Sequence, residues 1–152
     1  MIPAKVKEIL EAHGLSALEF EPGSTPTSEL AAARIGVTVG QIAKSMLFKG
    51  KSGDFFLAVC PGNLRVCSKK MKQAVGTKVR MARVDETEMV TGFKPGGVCP
   101  FGVMGVEILI DIGLSDYATI YPAAGTDASG VPVTFDQLRQ ITGARAVDVM
   151  ER

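Results

Sequence analysis

The spacing of hydrophobic residues changes along the chain, and these changes divide it into predicted helices and strands. Apolar residues recur at helical spacing over residues 3–14, a segment that has a proline at its start and a glycine at its end. Four further helices are predicted, each ending at a glycine, over residues 27–36, 68–76, 85–92 and 134–143. Capping-box spacing at Thr38 and Gln41 predicts a short helix, and Asp85 is the expected cap of the helix at 85–92.

Short apolar or alternating runs between these helices predict strands. They cover residues 15–21, 45–49, 54–60, 64–67, 78–82, 106–111, 117–123, 131–133 and 144–150. Many short strands with helices at irregular intervals favour an α+β fold rather than a doubly wound parallel sheet. We therefore expect a mixed, curved, partly closed and barrel-like sheet surrounded by helices. The 152 residues contain no obvious linker or repeat, so a single domain over residues 1–152 is expected.

Composition argues against several classes of protein. No apolar run reaches the roughly 20 residues that a membrane span needs, and the N-terminal segment is too charged for a signal peptide, so we expect a soluble cytoplasmic protein. The cysteines, Cys60, Cys67 and Cys99, match no zinc spacing, and His13 is the only histidine. This composition predicts no metal site and argues against Ser-His or Cys-His catalysis.

Charge is distributed unevenly along a chain whose net charge is only +1. No acidic residue occurs between Asp54 and Asp85. That interval holds the basic residues Arg65, Lys69, Lys70, Lys72, Lys78, Arg80 and Arg83. A local positive field would attract phosphate groups, although the same charges could simply form a solvated helix face.

A family resemblance is carried by a set of motifs that occur in a fixed order. They are QIAKSMLFK (41–49), SKKMKQAVG (68–76), VTGFKPGGVCPFG (90–102), IYPAAG (120–125) and FDQLRQITGARAVDV (135–149). Over nearly its whole length the chain resembles the YbaK/EbsC family, freestanding relatives of the editing domain that is inserted in bacterial prolyl-tRNA synthetases. The resemblance implies a mixed α/β protein with a central barrel-like sheet that hydrolyses mischarged aminoacyl-tRNA in trans. It also implies aminoacyl-tRNA as substrate, prolyl-tRNA synthetase as a candidate partner, and no cofactor.

The resemblance assigns the chemistry to Lys44, Gly96 and Gly97. Aminoacyl-tRNA is an activated ester, so hydrolysis needs little more than donors that hold the carbonyl and stabilise its oxyanion. Gly96 and Gly97 lack side chains, which lets their backbone N–H groups approach a ligand, and Pro100 restrains the loop. Lys44 would hold a phosphate or ribose oxygen of the terminal adenosine. Without the resemblance, the residues alone favour a glycine turn between a helix and a strand for the loop, and a surface lysine at a strand start for Lys44.

Other residues in or beside these motifs are candidates for substrate binding. The amino-acid pocket is expected to involve Phe20, Thr27, Ser45, Met46, Cys99, Pro100, Ala123 and Gly125. Lys69 and Lys70 are the candidate contacts to phosphates of the tRNA acceptor stem. Phe20 replaces a tyrosine and Ala123 a serine that are common in the branch specific for cysteinyl-tRNA(Pro). Cysteine, alanine or another small amino acid on tRNA(Pro) therefore stays open as the substrate.

An alternative function belongs to a different class. The same cavity could hold a tRNA end or a small ligand, or dock on a synthetase, without turnover. Hydrolysis of a charged tRNA separates this binding module from the deacylase.

Overall fold

The computed structural model describes residues 1–152 and contains five α-helices and seven strands. The helices are α1 (Ala4–Ala12), α2 (Ser28–Ile35), α3 (Ser68–Val75), α4 (Val84–Thr91) and α5 (Phe135–Thr142). The strands are β1 (Leu18–Glu19), β2 (Ala43–Gly50), β3 (Phe55–Pro61), β4 (Val79–Met81), β5 (Glu107–Asp111), β6 (Ser129–Gly130) and β7 (Arg145–Val147). Short 3₁₀ turns lie at Val39–Gln41 and Ile112–Asp116. None of the helices has the length and apolar character that a bilayer span requires.

The main sheet has five strands in the order β4-β2-β3-β5-β7. β2 pairs antiparallel with β3 and β4, whereas β5 pairs parallel with β3 and β7. A separate antiparallel pair joins β1 to β6. The mixed α+β fold is therefore confirmed, but the expectation of a barrel-like, partly closed sheet is wrong. β4 and β7 are short edge strands that each pair with one neighbour and not with each other, so the sheet stays open.

Both faces of the sheet are buried, and side-chain alternation along β2 and β3 assigns residues to each face. On one face, Leu47 and Leu57 pack with residues of α1 and α5 in the larger core. On the other face, Phe48 and Phe56 pack against Met71 of α3. Neighbouring residues of β2 therefore point into different surroundings.

Most helix ends follow the predicted chemistry. In α5, Thr134 and Gln137 form a reciprocal capping box, with N···O distances of 3.1 and 2.9 Å. The α4 cap differs from the prediction, because the helix starts at Val84 rather than at Asp85. The cap residue is Arg83, and the Glu86 carboxylate accepts its backbone N–H at 2.8 Å.

Three predicted strands are absent as regular strands. In residues 64–67 only Val66 forms a bridge, to Met150. In residues 117–123 and 131–133 there are only isolated bridges, one of which joins Ile120 to Val133. Pro122 and Pro132 lie in these two runs, and proline cannot donate a hydrogen bond to a neighbouring strand.

Candidate functional site

A cavity of about 90 Å³ lies where the first turn of α2, the start of β2 and the glycine loop meet. Residues from segments 25–35, 42–45, 96–98 and 121–129 line it. We call it the first cavity. Five of the predicted site residues are in its wall: Thr27, Lys44, Ser45, Gly96 and Ala123. The structure thus brings Lys44 and Gly96, which are far apart in sequence, to one concave surface.

Two glycines give the loop its close packing. Gly96 has φ of +88°, a backbone conformation that favours glycine. Gly97 lies against the neighbouring segment, where a Cβ atom would come within 2.9 Å of three Thr126 backbone atoms. A side chain at residue 97 would therefore force two backbone segments apart, so the loop has a steric need for glycine there.

The backbone amides of this loop differ in their availability. The Gly97 N–H donates to the Lys94 carbonyl oxygen at 3.0 Å, and Gly97 does not line the first cavity. The N–H groups of Gly96 and Val98 donate to no acceptor in the chain, and both residues line the cavity. Both residues are half-buried, so these two unbonded N–H groups are the loop donors available to a ligand in the cavity. The geometry favours Gly96 and Val98, rather than Gly96 and Gly97, as the donor pair.

Lys44 lies at the boundary between two cavities and lines both. No carboxylate is within ion-pair distance of its ammonium group. Alternation along β2 places its side chain on the face of Met46 and Phe48, opposite that of Ser45. Lys44 is therefore an exposed, unpaired positive charge at the edge of the first cavity.

The second cavity, of about 380 Å³, lies on the face of the sheet that carries Met46 and Phe48. Lys44, Met46, Arg65, Ser68, Met71 and Arg80 are among the residues that line it, and none of its lining residues is acidic. The Arg80 guanidinium is held by the Glu86 carboxylate through two hydrogen bonds of 2.8 and 3.0 Å. Lys44 and Arg65 form no ion pair, so they are the cations available to an anionic ligand.

Glu86 is the acidic centre of this basic region. Its side chain is 5% exposed and lies 3.6 Å from the Lys49 ammonium nitrogen, in addition to its contacts with Arg80. The hydrogen bonds from Arg80, and then that from the Arg83 backbone, lower the pKa of Glu86 to about 2. The carboxylate is ionised at neutral pH and cancels part of the positive charge around the second cavity.

Phe20 and Met46 were predicted to bind the amino acid, but neither lines the first cavity. The Phe20 ring is covered by the Arg34 guanidinium, 4.4 Å from the ring centroid. Met46 lines the second cavity. The structure therefore separates both side chains from Ser45 and Thr27.

Cys99, Pro100 and Gly125 also lie outside the wall of the first cavity. Cys99 is fully buried in the larger core, and burial raises the pKa of its thiol to about 12. It is a protonated core side chain at neutral pH, which argues against thiolate chemistry. Gly125 has φ of +90°, and a Cβ there would approach the Phe93 ring to 2.8 Å, so it supports the loop rather than the ligand.

The two lysines predicted to contact tRNA, Lys69 and Lys70, differ in whether the ammonium group has a partner within the chain. Lys69 is exposed and makes no ion pair. Lys70 donates to the Asp148 carboxylate at 3.0 Å and to the Met150 carbonyl oxygen at 2.9 Å, so it links α3 to the C-terminal segment. Of the two, only Lys69 has an ammonium group that is available to a phosphate without breaking an internal contact.

Sequence reasoning predicted five of the fifteen lining residues and missed the other ten, among them Thr25, Ser28, Val98 and Ser129. The side chains of Ser28 and Ser45 are the buried polar groups that have no hydrogen-bond partner. In contrast, the Thr25 hydroxyl has a partner, because it accepts the Ser129 backbone N–H at 3.1 Å. The position of Ser28 directly after the cap Thr27 gave no specific signal, since serine is common at the start of a helix.

The chain contains no group of three or more His, Cys, Asp or Glu side chains placed to hold a metal ion.

Comparison with known proteins gives the family. A family model described as the aminoacyl-tRNA editing domain matches residues 22–141. The chain belongs to this family. Over 133 residues, which cover 86% of this chain and 84% of the relative, the editing domain is 37% identical to "Uncharacterized protein YwhH" of Bacillus subtilis (strain 168).

A second relative and a solved structure connect the editing domain to the predicted YbaK/EbsC family. It is 33% identical over 78 residues to the "Putative Cys-tRNA(Pro)/Cys-tRNA(Cys) deacylase EbsC" of Enterococcus faecalis, a match that covers 51% of this chain and 48% of that protein. It is 32% identical to a solved structure described as "a putative trans-editing enzyme for prolyl tRNA synthetase", with a TM-score of 0.88 and full coverage of both chains. The resemblance to the YbaK/EbsC family is confirmed, and the matches support an aminoacyl-tRNA deacylase.

Proposed function

We propose that this editing domain is a trans-acting deacylase that hydrolyses the ester of a tRNA mischarged with a small amino acid. The observation that carries the proposal is the meeting of Lys44 and the unbonded amides of Gly96 and Val98 at one small cavity. A free cation and two free donors are what an ester linked to a polyanion needs for binding and activation.

The two cavities suggest how the substrate lies. A volume of about 90 Å³ holds several water-sized groups, which suits a small amino acid. The second cavity is larger and has the unpaired cations Lys44 and Arg65, which suits the terminal adenosine and its phosphate. Lys44 lies between the two cavities, so its ammonium would meet the ribose close to the ester bond.

The proposed chemistry needs no protein nucleophile. The N–H groups of Gly96 and Val98 donate to the carbonyl oxygen and stabilise the negative charge that develops on it. A water molecule adds to the carbonyl carbon, the bond from that carbon to the ribose oxygen breaks, and the ribose oxygen takes a proton. The products are the free amino acid and the uncharged tRNA. A protonated Cys99 outside the cavity contributes nothing to these steps.

Basic side chains outside the two cavities would bind phosphates of the rest of the tRNA end. Lys69 and Lys72 on α3 are exposed, and together with Arg65 they extend the free positive charge away from Lys44. Phosphate contacts of this kind make affinity fall steeply with salt. We assign tRNA(Pro), and prolyl-tRNA synthetase as the enzyme whose errors are corrected, on the basis of the matched structure's description.

The deciding experiment is a deacylation assay with tRNA(Pro) charged with alanine, cysteine, serine or threonine. The wild type is expected to hydrolyse at least one ester faster than buffer, and Lys44→Ala should slow that reaction by about 10²-fold because the ester loses its positioning cation. The exposed Lys51, which lies in the turn before β3, gives a matched control, since Lys51→Ala removes the same charge elsewhere. If the wild type binds charged tRNA but hydrolyses none of the esters, the protein is a binding module and the deacylase proposal is wrong.

A further inference from the structure

Ser28 and Ser45 both line the first cavity, and the buried hydroxyl of each bonds to no group in the chain. Their residues are 6% and 8% exposed. Buried hydroxyls are nearly always paired, because losing water without a replacement partner costs free energy. A pair of unsatisfied hydroxyls in one cavity wall therefore indicates a ligand that supplies the partners.

Both serines are held in place by their surroundings. Ser28 is the first residue of α2, and Gly62 packs so closely that a Cβ there would lie 2.7 Å from the Ser28 hydroxyl oxygen. Ser45 is in the middle of the paired region of β2, opposite Val59 of β3. The backbones of both serines are therefore held in place, so both side chains stay in the wall.

The remainder of the wall leaves little other hydrogen-bonding capacity deep in the cavity. The Ser129 hydroxyl already accepts from the Ala124 N–H at 3.0 Å, and Thr25 bonds to the Ser129 backbone. The side chains of Ala31 and Ile42 are apolar. A ligand group that enters the buried part of the cavity thus meets hydrocarbon and the hydroxyls of Ser28 and Ser45.

Charge decides which polar group fits. No Asp or Glu lines the first cavity, and Lys44 lies at its edge. A buried ammonium without a compensating carboxylate is strongly disfavoured, so the charged α-amine of an amino acid belongs at the open side. A neutral hydroxyl can both donate to one serine and accept from the other.

We propose that Ser28 and Ser45 form a subsite that binds the side-chain hydroxyl of the substrate amino acid, which makes a serine-type ester the preferred substrate. This inference rests on the proposed deacylase function and gives its substrate class. It assigns Ser28, which lies outside the motifs that carry the family resemblance, to substrate selection.

The test uses two esters of equal size on the same tRNA(Pro). Serine and 2-aminobutyrate differ only in whether the outer side-chain group is a hydroxyl or a methyl, so steric exclusion cannot separate them. The methyl leaves both protein hydroxyls unpaired, and we expect the seryl ester to be hydrolysed roughly 10²-fold faster in kcat/KM. In Ser28→Ala and Ser45→Ala this ratio should fall toward one, whereas the exposed Ser115→Ala control should keep it.

The outcomes separate the two proposals. If the wild type hydrolyses neither ester nor any other tested, the deacylase function fails and the subsite with it. If the wild type hydrolyses both esters equally, or if each serine variant slows both by the same factor, the hydroxyls do not select the side chain and only the subsite is overturned. Binding of amide-linked seryl- and 2-aminobutyryl-adenosine, which cannot be hydrolysed as esters, gives a second readout. Loss of the seryl preference in binding by the folded Ser45→Ala protein supports the subsite, and its retention overturns it.

Discussion

Replacing Ser45 with alanine is expected to leave the folded protein at least as stable as the wild type. The Ser45 hydroxyl is buried and has no partner in the chain, so the substitution removes a desolvation cost without removing a hydrogen bond. An unsatisfied buried hydroxyl costs about 1–3 kcal/mol. A cavity of about 90 Å³ has room for water, which offsets part of that cost. We therefore expect the free energy of unfolding to stay the same or to rise by up to about 1 kcal/mol.

Ser129 supplies the matched control for this measurement. It is buried in the same wall, but its hydroxyl accepts from Ala124 and Thr126 at 3.0 Å and lies 3.3 Å from the Thr126 carbonyl oxygen. Ser129→Ala should therefore lower the free energy of unfolding by about 1–3 kcal/mol. Urea unfolding followed by circular dichroism measures both variants. If Ser45→Ala instead loses about 1 kcal/mol or more, its hydroxyl has a partner in the free protein and the argument for a ligand subsite is refuted.

Two further predictions follow from the loop and from the acidic centre. Val98→Pro removes the backbone N–H that Val98→Ala retains. The deacylation rate should therefore fall roughly 10²-fold in the proline variant and much less in the alanine control. Equal rates in the two folded variants would show that this amide takes no part in the mechanism. The pKa of Glu86 in the folded state is about 2, below its ordinary value of 4.5, so its carboxylate contributes stability above about pH 4.5 that is lost as the pH falls toward 2. Thermal unfolding from pH 6 to pH 2 should show a smaller pH dependence in Glu86→Gln than in the wild type, and parallel curves would contradict the ion-pair assignment.

Sequence pattern was sufficient for the helices because their ends are determined locally. The capping box at Thr134 and the terminal glycines such as Gly143 occupy the predicted positions, since these residues act on backbone groups within one turn. Strand formation depends on a partner that is distant in sequence, and residues 117–123 and 131–133 form only isolated β-bridges. Closure of the sheet was a further long-range property that no local pattern contained.

The candidate site also has a part that could be predicted from the sequence and a part that depends on the folded chain. Lys44 and Gly96 were predicted from the family resemblance, which is carried by contiguous motifs, and the structure places both at one cavity. Which loop amide is free could not be predicted, because the Lys94 carbonyl occupies the Gly97 N–H only after the turn has formed. Ser28 was missed for a related reason. A serine at the start of a helix is common, and its significance depends on the absence of a partner, which only the folded chain reveals.

Side-chain alternation along β2 places neighbouring residues in different cavities, and this bears on how specificity could change. Ser45 points to the first cavity, whereas Lys44 and Met46 belong to the face of the second cavity. In the proposed function, the strand therefore separates the residues that select the amino acid from those that hold the nucleotide. Substitutions at Ser28 or Ser45 should alter amino-acid preference with little effect on tRNA affinity, because they change no charge and do not line the second cavity. Removing the charge of Arg65 should do the opposite, weakening tRNA binding equally for every amino acid.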